Sequence, residues 1–401
     1  MIDFPYLSEL VQPTDSKIVM LIVDGLGGTP DPLYGRTELE AARVPNLDHI
    51  ASQSAGGLAT LVSPGVTPGS VPGHLALFGY DPLKYTVGSG AAEALGNGLD
   101  IKAGDVVARG NFATLDKQGL VEDRRAGRMD TDAARELADK IGKLKITGVQ
   151  TAIGGPDGYR FALRLRGTGL DPRVSPSDPL ETGVAPFDIR ALDKAAAKTA
   201  KAAAQFVQKA NEALKDASPA NAVLLRGWEG PPKLPSFAES YGVKPVGIAA
   251  HPTYRGIARM LGMDVPETGP DFTSQMETLR SCWDDYTFFY VHYKGPGVAA
   301  NDGDFQAKKH AVERLDEIIP DLLALVPDVL VVTGDHSSPS GMQRHSWHPV
   351  PFILRSKWTP AAGIHRFSEI ELRGGSLGMF EAKQAMMLAL AHAGKLRQFG
   401  A

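Results

Sequence analysis

The chain has 401 residues, 43% hydrophobic and 22% charged, a composition typical of a soluble globular protein of one large domain or two ordinary ones. Its net charge of −4 gives no indication of binding to nucleic acid or to an anionic membrane. The single cysteine excludes an internal disulfide, and the N-terminus lacks the basic start of a signal peptide, so we expect a cytoplasmic protein.

Strands and helices alternate at both ends of the chain. Continuous β-branched runs that end at Gly or Asp predict buried parallel strands at 17–25, 286–295 and 328–336. Residues 348–356 are strand-like after their prolines, which suit a strand start or a sheet edge. A helical pattern covers 305–325, where Pro320 predicts a kink or break near Ile319. The alternation predicts an α/β fold with a doubly wound, mostly parallel sheet.

The middle of the chain has a different pattern. Short strand candidates separated by turn signals lie within 105–175, and a further one lies at 221–227. Between them, residues 189–217 form a long helical pattern rich in Ala and Lys. Its lysines indicate a solvated face rather than a binding surface.

These two patterns predict two domains. An inserted, smaller α+β domain at 105–230 interrupts an α/β core made of residues 1–90 and 238–401. Segments rich in Gly and Pro at 87–98 and 231–237 are typical of linkers, and we expect the chain to cross between domains there.

Polar residues follow two of the predicted strands. Asp24 ends the first, and Asp335 with His336 ends another; His345 and His348 come shortly afterwards. A lone aspartate after a strand is usually a turn former. However, ligands of open α/β sheets bind at the carboxyl ends of strands, and carboxylates with imidazoles suit Zn²⁺ or Mn²⁺. The pattern predicts a metal site at this edge.

Ser70 precedes an amphipathic run with a proline near its first turn, so it lies at or just before a helix N-terminus. One interpretation is an ordinary N-cap. The other is a nucleophilic alkoxide activated by a metal, with the resulting phosphoserine held at the helix end.

The inserted region is rich in arginine. Most surface arginines have no specific role, but a group beside a metal and a serine could bind phosphate and carboxylate bidentately. The candidates are Arg124, Arg125, Arg128, Arg160, Arg164, Arg166 and Arg226.

Several long motifs together resemble one family. They are "IVDGLGG", "TPGSVPGHLALFGYDP", "GNFATLD", "DRRAGR", "GMDVPETG", "GDFQAKKHAVERLD" and "HSWHPVPFI". In this order they are similar to cofactor-independent phosphoglycerate mutase of the archaeal type, in the alkaline phosphatase superfamily. The resemblance implies an alkaline-phosphatase-like core with divalent metals and an inserted phosphate-transfer and substrate lid domain. It also implies a glycolytic enzyme that interconverts 3- and 2-phosphoglycerate without 2,3-bisphosphoglycerate.

The resemblance implies two metal-ligand sets, of which only one is complete here. The complete set is Asp24, Ser70, Asp335 and His336, with Ser70 as the nucleophile. The other set consists of an aspartate and a histidine from a motif K-A-P-D-E-A-G-H-D-G-D, plus the position of His345. This chain has Gly297 and Asn301 at the two motif positions. We therefore expect one tightly bound Mn²⁺, Zn²⁺ or Mg²⁺ rather than two.

Substrate-binding residues are also implied by the resemblance. They are Arg124, Arg125, Arg128, Arg160, Arg226, Arg255 and Lys294. The chain departs from the family pattern at Ser89, where an arginine is usual, and at Tyr159, where a histidine is usual.

The sequence is compatible with three functions. The first is a phosphoglycerate mutase whose second metal site is impaired, or rebuilt by Asp302, Asp304, His292 or His348. The second is a one-metal phosphatase or mutase acting on another phosphate or phosphonate ester. The third is a non-catalytic paralogue that binds a phosphorylated metabolite. All three imply a small phosphorylated ligand and neither nucleic acid nor membrane, and a homo-oligomer is left open.

Overall fold

The structure is a computed structural model that describes residues 1–359 and 363–400. Its strands are β1 Ile18–Val23, β2 Ala55–Thr60, β3 Val106–Leu115, β4 Val121–Asp123, β5 Gln150–Asp157, β6 Arg160–Arg166, β7 Ala222–Glu229, β8 Pro245–Ile248, β9 Phe288–Tyr293, β10 Val329–Gly334, β11 Val350–Ser356 and β12 Gly378–Glu381. Its α-helices are α1 Leu7–Leu10, α2 Glu38–Ala41, α3 Pro45–Ser52, α4 Ser70–Leu77, α5 Ser89–Gly96, α6 Thr131–Gly142, α7 Ala197–Leu214, α8 Phe237–Tyr241, α9 Pro252–Met260, α10 Phe272–Ser281, α11 Gly295–Asn301, α12 Phe305–Leu323, α13 Glu369–Arg373 and α14 Ala385–His392. Among the helices of the described residues, none has the length and apolar composition that a membrane span needs.

The chain forms two compact units. The first contains Met1–Thr86, Leu234–His251 and the described residues from Leu261 onward. The second contains Val87–Lys233 and Pro252–Met260.

A seven-stranded sheet is the centre of the first unit, with the order β12-β2-β11-β10-β1-β9-β8. Strand β1 pairs in parallel with both β9 and β10, while β11 runs antiparallel between β10 and β2. The central strands β1 and β10 are buried along their whole length, as expected of parallel strands covered on both faces. The predicted α/β class with a mostly parallel sheet is confirmed. The prolines of β11 mark the start of an interior strand, not a sheet edge.

Helix α12 continues through Pro320 to Leu323, so of the predicted kink or break near Ile319 the break does not occur. Proline has no N–H to donate to the carbonyl four residues earlier, which is that of Asp316. Asn46 Nδ2 donates to that carbonyl instead, at 3.1 Å. The Asp316 carboxylate also accepts from the N–H of Leu47 at 2.7 Å, which satisfies a free donor at the start of α3. A contact distant in sequence therefore compensates for the proline.

The second unit has an antiparallel sheet in the order β4-β3-β6-β5, with β7 also pairing with β3. Helices α6 and α7 contribute alanines and Phe206 to the core of this unit, which also contains Phe112 and Phe161. The lysines of α7 are exposed, for example Lys201 and Lys209.

The unit borders differ from the sequence prediction at two places. Residues 87–98, predicted as a linker, contain helix α5, and α9 belongs to the second unit although it lies within 238–401. The two helices are joined by polar contacts: Thr253 Oγ1 donates to Glu93 Oε1 at 2.9 Å, and Arg259 Nη1 donates to the Leu95 carbonyl at 2.7 Å. Contacts between segments far apart in sequence decide these borders.

Glu369 at the start of α13 supports the loop that follows β1. Its carboxylate accepts from the N–H of Gly28 at 3.1 Å and from Thr37 Oγ1 at 2.9 Å. Burial raises the pKa of Glu369 from 4.5 to about 7. The folded state therefore holds a proton that the unfolded state releases between these two values. The contribution to stability is fully present below pH 4.5 and is lost as the pH rises through about 7.

We expect Glu369→Gln, which is neutral at every pH, to remove this loss. Relative to the variant, wild type should lose about 3 kcal/mol of unfolding free energy between pH 4.5 and 8. Urea unfolding at several pH values measures the difference. Glu277→Gln on the exposed face of α10 is the control and should follow wild type. A pH profile of Glu369→Gln parallel to that of wild type would show that Glu369 is not the titrating group.

Candidate active site

Two carboxylates and an imidazole meet at the carboxyl edge of the large sheet. Asp24 follows β1, and Asp335 with His336 follows the neighbouring β10, whose Gly334 is paired with Val23. His336 Nε2 lies 3.1 Å from Asp24 Oδ1 and 3.4 Å from Asp335 Oδ2. All three residues are buried, and their ligand atoms lie within 4.8 Å of one another. We call them the aspartate–histidine cluster.

The charges of this cluster suit a divalent cation. Although burial alone would raise it, the pKa of Asp24 is held well below its usual range by the Lys294 ammonium and by His336. Burial and the nearby Asp24 carboxylate raise the pKa of Asp335 well above its usual range. Within the described part of the chain, the buried Oδ2 of Asp335 accepts no hydrogen bond. Two carboxylate oxygens and an imidazole nitrogen are a ligand set that fits Zn²⁺ or Mn²⁺.

Ser70 is the first residue of α4, and Gly69 occupies the N-cap position, so Ser70 is not the N-cap itself. Helix α4 approaches the cluster closely through Gly73. A Cβ added to this residue would lie 1.9 Å from the Asp335 carbonyl oxygen. Only glycine permits this approach. The N-terminal turn of α4, with Ser70 at its start, is thereby fixed against the loop that carries Asp335.

His74 and His292 are buried beside Asp335, and the sequence did not single out His74 at all. Their ligand atoms and those of Asp335 lie within 4.8 Å of one another. His74 Nδ1 lies 2.8 Å from the Ser70 carbonyl and Nε2 lies 2.9 Å from the Tyr290 hydroxyl. Since a carbonyl only accepts, Nδ1 donates to it; burial lowers the pKa of His74 to about 4, so the ring is neutral and Nε2 accepts. His74 therefore holds the first turn of α4. In the sequence, the spacing of four residues between Ser70 and His74 places both on one helix face, and this spacing could have indicated that His74 lies beside the site.

His345 also supports the segment before α4. Its Nδ1 lies 2.9 Å from the Pro68 carbonyl, and its ring stacks on His336 with a centroid distance of 3.4 Å. Because Nδ1 donates to the carbonyl, a neutral ring leaves Nε2 as an acceptor, an arrangement common in histidines that bind metals. Neither of the ligand clusters found among the described residues includes His345.

The segment "GPGVAAN" forms helix α11, and Lys294 is its N-cap residue. Lys294 Nζ lies 2.5 Å from Asp24 Oδ2, and an added Cβ on Gly297 would lie 2.4 Å from Asp24 Cγ. Asn301, the last residue of α11, is half-buried. Neither Gly297 nor Asn301 offers a carboxylate or imidazole, so these positions do not fit the second metal that the resemblance implies.

The four residues proposed to rebuild that second site have other surroundings. Asp304 is the N-cap of α12, accepting from the Ala307 N–H at 2.8 Å, and Asp302 is exposed. His348 Nδ1 lies 3.0 Å from Ser346 Oγ, and the His348 ring stacks on Trp347. Of the four, only His292 belongs to a cluster of ligand atoms within the described residues.

Four arginines of the second unit lie on neighbouring strands or beside a shared carboxylate. Arg124 donates twice to Asp178, at 2.8 Å each, and Arg226 Nε lies 3.3 Å from the same carboxylate. Arg109 Nη1 lies 3.4 Å from Glu93 Oε1, and β3 pairs Arg109 with Arg226. The fourth is Arg160. We call Arg109, Arg124, Arg160 and Arg226 the arginine group; sequence reasoning missed Arg109.

The charges of the arginine group act on one another. Burial, followed by the charges of Arg160 and Arg226, lowers the pKa of Arg109 to about 9 despite Glu93. The Tyr159 hydroxyl accepts from Arg160 Nε at 3.2 Å, and although burial opposes it, Arg160 and Arg109 lower the pKa of Tyr159. Such a group favours an anionic ligand.

The other predicted arginines have different places. Arg164 donates to the Asp100 carbonyl and Arg166 pairs with Asp105, while Arg128 is exposed. Arg125 follows Arg124 directly in the chain and is half-buried. Arg255 lies on α9, which belongs to the same unit.

The large sheet and the aspartate–histidine cluster together define an α/β protein with a candidate cation site at the carboxyl edge of its strands. Comparison with known proteins is more specific. A family model described as 2,3-bisphosphoglycerate-independent phosphoglycerate mutase matches residues 51–221. A protein of Thermus thermophilus named probable 2,3-bisphosphoglycerate-independent phosphoglycerate mutase is 45% identical, over 99% of each chain.

Solved structures agree with this comparison. A Pyrococcus horikoshii protein superposes with a TM-score of 0.81 and 28% identity, covering 96% of this chain and 99% of the other. A cofactor-independent phosphoglycerate mutase from Thermoplasma acidophilum gives a TM-score of 0.66 and 30% identity, covering 94% of this chain and 100% of the other. The chain belongs to the 2,3-bisphosphoglycerate-independent phosphoglycerate mutases, a family of isomerases, and the resemblance found in the sequence is confirmed.

Proposed function

We propose that this chain is a phosphoglycerate mutase that interconverts 3- and 2-phosphoglycerate through a phosphoserine at Ser70, without 2,3-bisphosphoglycerate. The observation that carries the proposal is the aspartate–histidine cluster beside the first turn of α4. Helix α4 begins at Ser70 and contacts the Asp335 backbone through Gly73. Family membership supplies the substrate.

One divalent cation, Mn²⁺, Zn²⁺ or Mg²⁺, would be held by Asp24, Asp335 and His336, with Ser70 and His345 as further candidate ligands. When bound, it supplies positive charge that lowers the pKa of a hydroxyl and offsets charge on a phosphoryl group. The cluster fits this role because Asp335 Oδ2 is buried without a hydrogen bond from any described residue.

Ser70 carries the phosphoryl group in this proposal. Its hydroxyl gives up a proton and its oxygen forms a bond to phosphorus, while the bond from phosphorus to the substrate oxygen breaks. The released glycerate oxygen takes up a proton, so the transfer neither gains nor loses one overall. The reverse transfer, to the other hydroxyl of the glycerate, completes the isomerisation. Free N–H groups in the first turn of α4 favour the phosphoryl oxygens, and His74 and His345 fix the backbone on either side of Ser70.

The second unit would bind the substrate. The arginine group brings four guanidinium groups together in one unit, and guanidinium groups bind carboxylates and phosphates bidentately, both of which are present in a phosphoglycerate. We assign to it the substrate and phosphate-transfer role, with Arg125, Arg128 and Arg255 as further contacts, and to the first unit the metal-binding role. A cytoplasmic place for the reaction agrees with the single cysteine, Cys282.

The test combines metal content with turnover on 3-phosphoglycerate. We expect one Mn²⁺ per chain and formation of 2-phosphoglycerate without added 2,3-bisphosphoglycerate. Phosphate release without 2-phosphoglycerate would favour a one-metal phosphatase acting on another ester, a reading that the altered positions Gly297 and Tyr159 support. Binding of 3-phosphoglycerate with no turnover of any phosphoester would instead leave a metabolite-binding paralogue.

A further inference from the structure

The two oxygens of the Asp24 carboxylate have different partners. Oδ1 lies 3.1 Å from His336 Nε2, within the aspartate–histidine cluster. Oδ2 lies 2.5 Å from Lys294 Nζ, while the Asp24 side chain is only 3% exposed and that of Lys294 is 32% exposed. One oxygen therefore faces the candidate cation site, and the other contacts a cation that belongs to the protein.

Helix α11 closes the Lys294 side of this carboxylate. A Cβ on Gly297 would lie 2.4 Å from Asp24 Cγ and Oδ1 and 2.6 Å from Oδ2, so no side chain can be added there unless Asp24 moves. Asn301 brings a neutral amide at the end of the same helix. The residues present on this side do not fit a second divalent cation.

We propose that the Lys294 ammonium takes the place of a second divalent cation at Asp24 Oδ2. An ammonium is a compact positive charge, and tethering it to the chain makes it available without ligands of its own. Held against Oδ2, it keeps Asp24 oriented with Oδ1 toward His336 and keeps other cations away from Oδ2. This inference deepens the proposed function and rests on it for the one cation at Asp24, Asp335 and His336. Lys294 is thus a positioning residue that acts through Asp24.

The sequence assigned Lys294 to substrate binding, and the two roles predict different measurements. A residue that only contacts substrate would change KM on replacement and leave metal binding as it is. A residue that competes with cations for Asp24 would change metal binding when no substrate is present.

The test is Mn²⁺ binding to the full chain by equilibrium dialysis with metal analysis, in wild type, Lys294→Met and Lys294→Arg. We expect one Mn²⁺ in wild type and in Lys294→Arg, which keeps the positive charge. Lys294→Met should bind its first Mn²⁺ at least about tenfold more tightly, because a like charge beside Asp24 is gone. Its stoichiometry should stay at one Mn²⁺, because Gly297 and Asn301 supply no further ligand beside Oδ2. Lys309→Met removes a lysine from a pair with Glu313 outside the cluster and should behave as wild type.

Two results would overturn the inference: two Mn²⁺ per wild-type chain, or a Lys294→Met variant with the Mn²⁺ affinity of wild type. Thermal melting checks that each variant is folded, and Lys294→Gln replaces the methionine variant if that one is not. Turnover of 3-phosphoglycerate tests the proposed function separately from the role of Lys294. We expect kcat at saturating 3-phosphoglycerate to fall at least about 100-fold in Lys294→Met and to recover partly in Lys294→Arg. A wild type without mutase activity would refute the proposed function, while the Mn²⁺ measurements would still decide the role of Lys294.

Discussion

Replacing Ser70 with alanine is expected to abolish phosphoryl transfer, with a fall in kcat of at least about 10⁴-fold. Among the residues of α4, Ser70 alone has a hydroxyl, and it lies in the turn fixed against Asp335 by Gly73. Folding should be nearly unchanged, because alanine is a good helix residue and Gly69 remains the N-cap. Mn²⁺ binding should persist, because Asp24, Asp335 and His336 are retained.

The measurement pairs a mutase assay with mass spectrometry of the acid-quenched enzyme. Wild type incubated with 3-phosphoglycerate should carry a phosphate on the peptide that contains Ser70, and Ser70→Ala should carry none. Ser281→Ala is the matched control, since Ser281 is exposed and its hydroxyl donates to the nearby Thr278 carbonyl. Wild-type turnover in Ser70→Ala would exclude Ser70 as the nucleophile.

Much of the fold was predictable because the strands of a buried parallel sheet are marked by their own residues. The runs at 18–23, 288–293 and 329–334 are continuous and apolar, and each became a central strand. Strand β2, "AGGLAT", was not predicted because its glycines have low β-propensity and its place depends on pairing with β11 and β12. The assignment of α9 to the second unit likewise depends on contacts with α5, which no local pattern reports.

The residues of the candidate site likewise include some that the sequence predicts and some that only the structure shows. Asp24, Asp335 and His336 were predictable because parallel neighbouring strands place their ends together. His74 was not predictable, because a histidine within an apolar helix has no evident role in the sequence. Its role follows from the hydrogen bonds of its two ring nitrogens with the Ser70 carbonyl and the Tyr290 hydroxyl. Arg109 is a single basic residue within a strand, and its role depends on register with Arg226. The absence of ligands at Gly297 was visible in the sequence, but the contact of Lys294 with Asp24 was not.

Restoring both missing ligands with Gly297→Asp and Asn301→His is expected to raise Mn²⁺ content from one to two per chain. The added Cβ at 297 would lie 2.4 Å from Asp24 Cγ, so the Asp24 carboxylate has to move and its contact with Lys294 has to break. That movement frees an Asp24 oxygen, and the new aspartate and histidine, with His345, would then complete a set of ligands.

The matched control is Gly297→Ala with Asn301→His, which adds the same Cβ without a carboxylate. It should displace Asp24 and bind no second Mn²⁺, and its first Mn²⁺ should bind at least about tenfold more weakly, since a ligand has lost its orientation. Equilibrium dialysis with metal analysis measures both variants, and Val298→Ala on the exposed face of α11 reports any effect of altering the helix itself. If the aspartate variant keeps one Mn²⁺ with wild-type affinity, positions 297 and 301 are not where a second cation binds. A second Mn²⁺ in the aspartate variant alone would show that the side chains at 297 and 301, not the fold, limit this chain to one cation.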